Sequence, residues 1–312
     1  MSAHTKRWRA TAPGSLMLMG EHAVLHGKRA LVCAVDRFMR VTLSPRPDRI
    51  VRIVSALGED QASLDTLESR APFEFIWTAL RRYDAVFPAG FDLSVESDFR
   101  STIGFGSSAA ITVATLAVLA EWLGRPLEPH ALHRRAVDVI RTVQGRGSGA
   151  DAAASVFGGL VEYREAPRKI EMLKAVHPVT VVYSGYKTPT PEVIARVESE
   201  RLKRPGLYEG FFFEMDECVR SAVDAICRDQ WAEVGQLMDA SHALMDALGV
   251  NDDTLERIVV ALREQPDILG AKISGSGLGD CVVGLGSISE WDLPYERIPC
   301  RMATEGVRVE EI

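Results

Sequence analysis

Residues 101–110, Ser-Thr-Ile-Gly-Phe-Gly-Ser-Ser-Ala-Ala, bring two glycines, two adjacent serine hydroxyls and the start of an apolar helix into one short stretch. The free N–H groups of a helix's first turn and the positive end of its dipole attract anions. Gly104 and Gly106 lack a Cβ, so the backbone there can approach an anion closely. Phosphate is the expected guest, at Gly104, Phe105, Gly106, Ser107 and Ser108. The plainer alternative is a turn in which Ser107 or Ser108 caps the helix. No G-x-x-x-x-G-K-[ST] occurs, and the loop is not G-x-G-x-x-G. Phosphate charge must then be met by backbone donors, a metal and residues from elsewhere.

Two further clusters offer such residues. At Gly20-Glu21-His22 an acid and an imidazole stand side by side at the end of an apolar strand, placed to hydrogen-bond a polar substrate or to form a solvated turn. In Gln144-Gly145-Arg146-Gly147-Ser148-Gly149-Ala150-Asp151, closely spaced glycines lead to one carboxylate. Asp151 can act there as a general base toward an alcohol, or as an N-cap. His130 and His133, three apart on a helix, lack further ligands and read as a surface pair rather than a zinc site.

The elements that must position these groups follow from periodicity. Strands are expected at 31–43, 49–55 and 91–97, then helices at 108–123 and 130–143. Val156 to Tyr163 reads as a strand after a Gly-Gly kink, and the charged run 164–174 as a domain crossover. A strand from His177 to Tyr183 opens the second half. Helices follow near 190–203, 211–228, 230–248 and 252–264, and strands 271–274, 281–285 and 307–310 close a small sheet. The pattern is α+β. Phe211-Phe212-Phe213 reads as core.

The chain of 312 residues, 46% hydrophobic, can bury two cores. Its net charge of −7 argues against general nucleic-acid binding. Its longest apolar run, 109–120, is too short to span a bilayer. No apolar signal core precedes Ala10, so a cytoplasmic location is expected. Five cysteines, widely spaced with no C-x-x-C, fit neither a disulfide framework nor a zinc site; Cys33 and Cys281 read as buried thiols. Monomer and homodimer both remain open.

Taken together with Lys272-Ile273-Ser274-Gly275-Ser276-Gly277-Leu278-Gly279-Asp280-Cys281, these clusters resemble the signature motifs of the GHMP kinases, most closely the mevalonate kinases. The matching runs are Gly20-Glu21-His22-Ala23-Val24-Leu25-His26-Gly27, Gly104-Phe105-Gly106-Ser107-Ser108-Ala109-Ala110, the loop at 275–279, and Leu244-Met245-Asp246-Ala247-Leu248-Gly249-Val250. The resemblance implies a two-domain GHMP kinase fold, with a ribosomal protein S5 domain 2-like half (1–172) and a ferredoxin-like half (173–312). It implies that the 104–108 loop and Gly275, Ser276 and Gly277 bind ATP, and that Ser108 helps hold Mg²⁺. Asp151 would be the catalytic base; Glu21, His22, Ser148 and Thr190 would lie against the substrate. The chemistry would be in-line transfer of a γ-phosphoryl group, in which positioning and charge stabilisation do most of the work.

Several residues depart from the family pattern. Ser15 stands where the family usually has a lysine beside the aspartate, and Ile140 where mevalonate kinases carry a metal-binding glutamate. Asp138, two residues earlier, points about 160° away around the helix. Another cation must then serve, with Lys187, Arg146 or Lys28 as candidates, or turnover is slow. Leu278 and Asp280 replace glycines usual in the last loop. The Gln144–Asp151 run is closer to phosphomevalonate kinases, and Ser184-Gly185-Tyr186-Lys187-Thr188-Pro189-Thr190 resembles a substrate-side loop of both. The expected activity is ATP- and Mg²⁺-dependent phosphorylation of a hydroxyl of mevalonate in isoprenoid precursor synthesis. Phosphomevalonate, a sugar or a mevalonate diphosphate-type decarboxylation are alternatives, as is a nucleotide-binding metabolite sensor without turnover.

Overall fold

The computed structural model describes residues 6–83, 87–100 and 102–312. Ser101, at the head of the glycine loop, lies outside them. In the first half the chain runs β1 (Trp8–Met19), β2 (Arg29–Pro45), β3 (Ile50–Ser55), β4 (Gly58–Ser63), α1 (Glu74–Arg81), β5 (Phe91–Ser97), α2 (Ser107–Trp122), α3 (Pro129–Gln144), α4 (Ala150–Phe157), β6 (Leu160–Arg164) and β7 (Lys169–Leu173). The second half follows with β8 (Val179–Lys187), α5 (Thr190–Lys203), α6 (Pro205–Cys227), α7 (Trp231–Ala247), α8 (Asp253–Arg263), β9 (Ile268–Ser274), β10 (Gly279–Gly286), β11 (Glu296–Ile298) and β12 (Arg308–Glu311).

The first sheet has the order β12-β1-β2-β5-β3-β4. The length of β2 makes this possible: one edge pairs with β1, while the other is shared between β6 at 29–33 and β5 at 39–45. Helix α2, apolar on every side as a buried helix must be, packs on β1 and β2 and against α1, α3 and α4. The second sheet, β11-β8-β10-β9, is antiparallel throughout and is covered by α7 and α8.

Four expectations are corrected. The strand near 307–310 does not complete the small sheet. After β11 the chain runs back along the first half, with a bridge between Val35 and Met302, and β12 covers the open edge of β1. Val156 and Phe157 end α4 rather than begin a strand; the alanines before them favour helix, and Gly158 at φ 70° stops it. The charged run 164–174 is a hairpin, β6 to β7, not a crossover. Of the three consecutive phenylalanines only Phe212 is fully buried, whereas Phe213 is exposed. Cys33 and Cys281 are buried, as expected.

The halves meet along the segment after β1. His26 stacks on Phe212 of α6 at 4.4 Å, Ala23 sits in the core of the second half, and Arg29 donates through its main-chain N and its side chain to Asp216, both at 2.6 Å. No helix among the described residues is long and apolar enough to cross a membrane.

Candidate active site

Between the halves lies a cleft of about 390 Å³. Of the residues singled out above, Glu21, His22, Gly104, Gly106, Ser107, Ser108, Ser148, Asp151, Thr190, Gly275 and Ser276 line it. Phe105 does not: its buried ring packs edge-on against Phe99 at 5.7 Å, leaving only its backbone for the loop. Gly277 lies behind the cleft, where a Cβ would come within 2.3 Å of the Val250 carbonyl.

Two helices start at the cleft from left-handed glycines, α2 from Gly106 at φ 59° and α4 from Gly149 at φ 93°. Neither has a side-chain cap, so neither serine caps α2 and Asp151 does not cap α4; it lies in that helix's first turn. The first-turn N–H groups of α2 are left for another acceptor, whereas in α4 the Ala150 N–H already donates to Ser148 Oγ at 3.2 Å. Gly106 is required twice over, by its positive φ and because a Cβ there would lie 2.1 Å from Ser15 Oγ. That contact brings β1 against both helices. Ser15, wholly buried, donates from Oγ to Asp151 Oδ1 at 2.7 Å, and its N–H donates to the Phe105 carbonyl at 3.1 Å.

Burial pushes the Asp151 carboxyl above its ordinary range; the Ser15 hydrogen bond and the Lys187 charge pull it back, while Asp280 and Glu21 push it further up. A carboxylate so placed, with Oδ2 free of the Ser15 bond, is suited to accept a proton from a hydroxyl. The loop bearing it is fixed from beneath. His133 donates from Nε2 to the Gly149 carbonyl at 2.9 Å, and Tyr163 donates to the Ser148 carbonyl at 2.5 Å. His133 is therefore a buried imidazole, held down to a pKa of about 4 by desolvation, and not half of a surface pair.

The second half contributes charge. Lys272, fully buried, donates to Glu21 Oε1 at 2.5 Å and to its neighbour's carbonyl, while Glu21 Oε2 is left without a partner. His22 donates from Nε2 to the Ser276 carbonyl at 2.9 Å, and burial lowers its pKa, so the ring is neutral. Asp280 accepts the Gly104 N–H at 2.6 Å on Oδ1 and pairs with Lys187 at 2.8 Å through Oδ2.

Residues 73–159 match the GHMP kinases N terminal domain and residues 222–290 the GHMP kinases C terminal domain. Over 97% of its length the chain is 33% identical to the mevalonate kinase of Archaeoglobus fulgidus, covering 99% of that protein. The chain belongs to the GHMP kinase family. It is also 29% identical to the Thermococcus sibiricus mevalonate kinase, over 97% of this chain and 98% of that one. The two-domain GHMP fold is shared with the Methanococcus jannaschii mevalonate kinase (TM-score 0.78, 22% identity, 94% of this chain and 98% of that one). It is shared equally with a Lactococcus lactis galactokinase complexed with galactose (TM-score 0.82, 18% identity, 97% and 95%). A sugar kinase overlays as well as a mevalonate kinase, so the GHMP fold alone does not choose the acceptor.

The departures from the family pattern sort themselves in space. Ile140 lines the cleft as an apolar residue, and Asp138 turns away to pair with Arg82 at 2.7 Å. Among the described residues no three acidic, histidine or cysteine side chains are grouped to hold a metal. The oxygen donors lining the cleft, the Ser108 hydroxyl among them, are of the kind a hard cation takes. Of the candidate cations, Lys187 and Arg146 line the cleft, whereas Lys28 lies 6.0 Å over the Phe213 ring. Sequence reasoning missed the Lys272–Glu21 pair and the grip of Asp280 on the Gly104 N–H.

Proposed function

We propose that this GHMP kinase phosphorylates a hydroxyl of mevalonate with ATP, in isoprenoid precursor synthesis. The reading rests above all on Asp151, a desolvated carboxylate fixed by Ser15 beside an uncapped helix start that suits phosphate. The relatives named mevalonate kinase over nearly the whole chain support the acceptor. In this reading the acceptor oxygen attacks the γ-phosphorus, the bond to the β,γ-bridging oxygen breaks, and ADP leaves. The hydroxyl proton passes to Asp151 Oδ2. Gly106, Ser107 and Ser108 hold the triphosphate through backbone and hydroxyl donors, Gly104 lets the chain pass close to it while its N–H stays on Asp280, and Gly275 and Ser276 close over it. Ser108 would hold the Mg²⁺ that accompanies the nucleotide, and the ion would supply neutralising charge for the phosphates. Glu21, His22, Ser148 and Thr190 face the acceptor. Residues 1–172 form the nucleotide-bearing unit and 173–312 the unit that closes it, the last strand being lent back to the first sheet.

Phosphomevalonate is a second acceptor, favoured by the Gln144–Asp151 run and by Arg146 at the cleft, a cation suited to a substrate phosphate. The base assignment is tested with Asp151→Asn. Turnover is expected to fall by about 10²–10⁴-fold, the worth of a positioned general base. Burial that raises this carboxyl makes its ionised form a cost to the native state. Stability therefore falls as pH rises from the ordinary carboxylate range through the raised value, and the asparagine variant should unfold no lower than the wild type. A folded Asp151→Asn protein with full turnover would remove the base from the mechanism.

A further inference from the structure

The cleft is crowded with carboxylates. Glu21 and Asp280 stand close enough to Asp151 to raise its affinity for protons, and a nucleoside triphosphate would add more negative charge. Ser15, beside the base, is neutral. Lys272 is wholly buried and engaged by Glu21. Lys28 lies outside the cleft lining.

Lys187 is held differently. It ends β8, where its backbone registers opposite Gly279 of β10, and the next residue, Thr188, donates from both N and Oγ1 to the Leu278 carbonyl at 3.3 and 2.7 Å. This fixes the lysine's stem against the last glycine loop. Two residues of that loop adopt left-handed backbone although they are not glycine, Leu278 at φ 54° and Asp280 at φ 72°. Such conformations cost energy and persist where surrounding contacts impose them. The contacts of Asp280 are specific: one carboxylate oxygen takes the Gly104 N–H of the phosphate loop and the other takes Lys187. A Cβ on Gly104 would lie 2.4 Å from the Asp280 carboxylate and would push it off the loop. Asp280 is 4% exposed, yet the Lys187 side chain keeps 28% of its surface open to the cleft. An ammonium has three donors, so those not engaged by Asp280 remain for a ligand.

We propose that Lys187 supplies the cation for the transferred phosphoryl group where Ser15 supplies none, and that Asp280 is the positioning residue that holds it at the mouth of the phosphate loop. This rests on the kinase reading above. The charge therefore comes from the second half of the molecule, and reaches the base only when the two halves are together. In the transfer step the lysine donates hydrogen bonds to the γ-phosphoryl oxygens while the acceptor oxygen bonds to phosphorus and the bond from phosphorus to the bridging oxygen breaks.

The test uses the full chain with Lys187→Met, Lys187→Arg, Lys187→Ala and Asp280→Asn, each checked by thermal unfolding. Lys187→Met should lose about 10²–10³-fold in kcat, as for removal of a preorganised donor to transition-state charge. Its preference for ATP over ADP in direct binding should fall. Lys187→Arg, or ethylammonium added to Lys187→Ala, should recover part of the loss, and Asp280→Asn should show a smaller one. Unchanged kcat with an intact ATP preference in Lys187→Met would overturn the proposal. So would a loss that neither arginine nor the added amine restores, because the residue would then be structural. If Asp151→Asn keeps full turnover, it is the kinase reading that fails. If the wild type turns over no acceptor, the ATP-against-ADP comparison alone decides whether Lys187 touches the γ-phosphate.

Discussion

The two walls of the cleft are built on different principles. The wall from the first half is backed by Ser15 on β1 and carries the starts of α2 and α4; beside Glu21, His22, Arg146 and Asp151 it offers backbone, hydroxyl, amide and apolar groups. Its geometry comes from close packing: the Ser15 N–H on the Phe105 carbonyl, Gly106 against Ser15 Oγ, and Ser155 Oγ donating to the Pro13 carbonyl at 2.8 Å. The opposite wall, from the β8 end and the β9–β10 turn, is held by charge, with Lys187 on Asp280 and Lys272 on Glu21. Both lysines thus come from the second half, while carboxylates stand on both walls.

The seam between the walls offers the largest effect on stability. Glu21→Gln leaves the Lys272 ammonium buried without its counter-charge, which should destabilise the fold by about 3–5 kcal/mol in denaturant titration. A loss no greater than for an average surface substitution would mean that the seam is wetter or looser than the burial of both groups implies. On the packed wall the effects are smaller and local. Ser108→Ala removes one hydroxyl from the cleft, a contact worth about 1 kcal/mol, and should weaken nucleotide binding several-fold at unchanged melting temperature. Ser15→Ala is subtler. The Ser15 hydrogen bond holds the Asp151 carboxyl down, so its loss lets burial push that group higher, and the acid limb of the kcat–pH profile should move to higher pH. A limb that stays in place would show that another group titrates there.

Much of this site can be read along the chain, because the phosphate loop, the Glu21-His22 pair and the approach to Asp151 are each local patterns of glycine, hydroxyl and acid. The charged wall cannot be read so. Lys272 sits between Ala271 and Ile273 in a strand, and only folding brings it to Glu21, 251 positions away. Asp280 reads as a glycine replaced in a turn, and nothing nearby in sequence announces that its partners are Gly104 and Lys187. His133 shows the same limit. Helical spacing pairs it with His130, whereas burial under α4 decides its tautomer and its role. The return of β12 to β1 was equally invisible, since a short alternating strand carries no mark of which open edge it will meet.

The most direct measurement is ADP release with Mg²⁺-ATP across mevalonate, 5-phosphomevalonate and a panel of sugars and amino alcohols, with product mass determined. Turnover on mevalonate is expected, giving a product heavier by one phosphoryl group and no CO₂. Nucleotide binding without turnover on any of these alcohols would contradict the kinase assignment and make the cleft a sensor of nucleotide and metabolite.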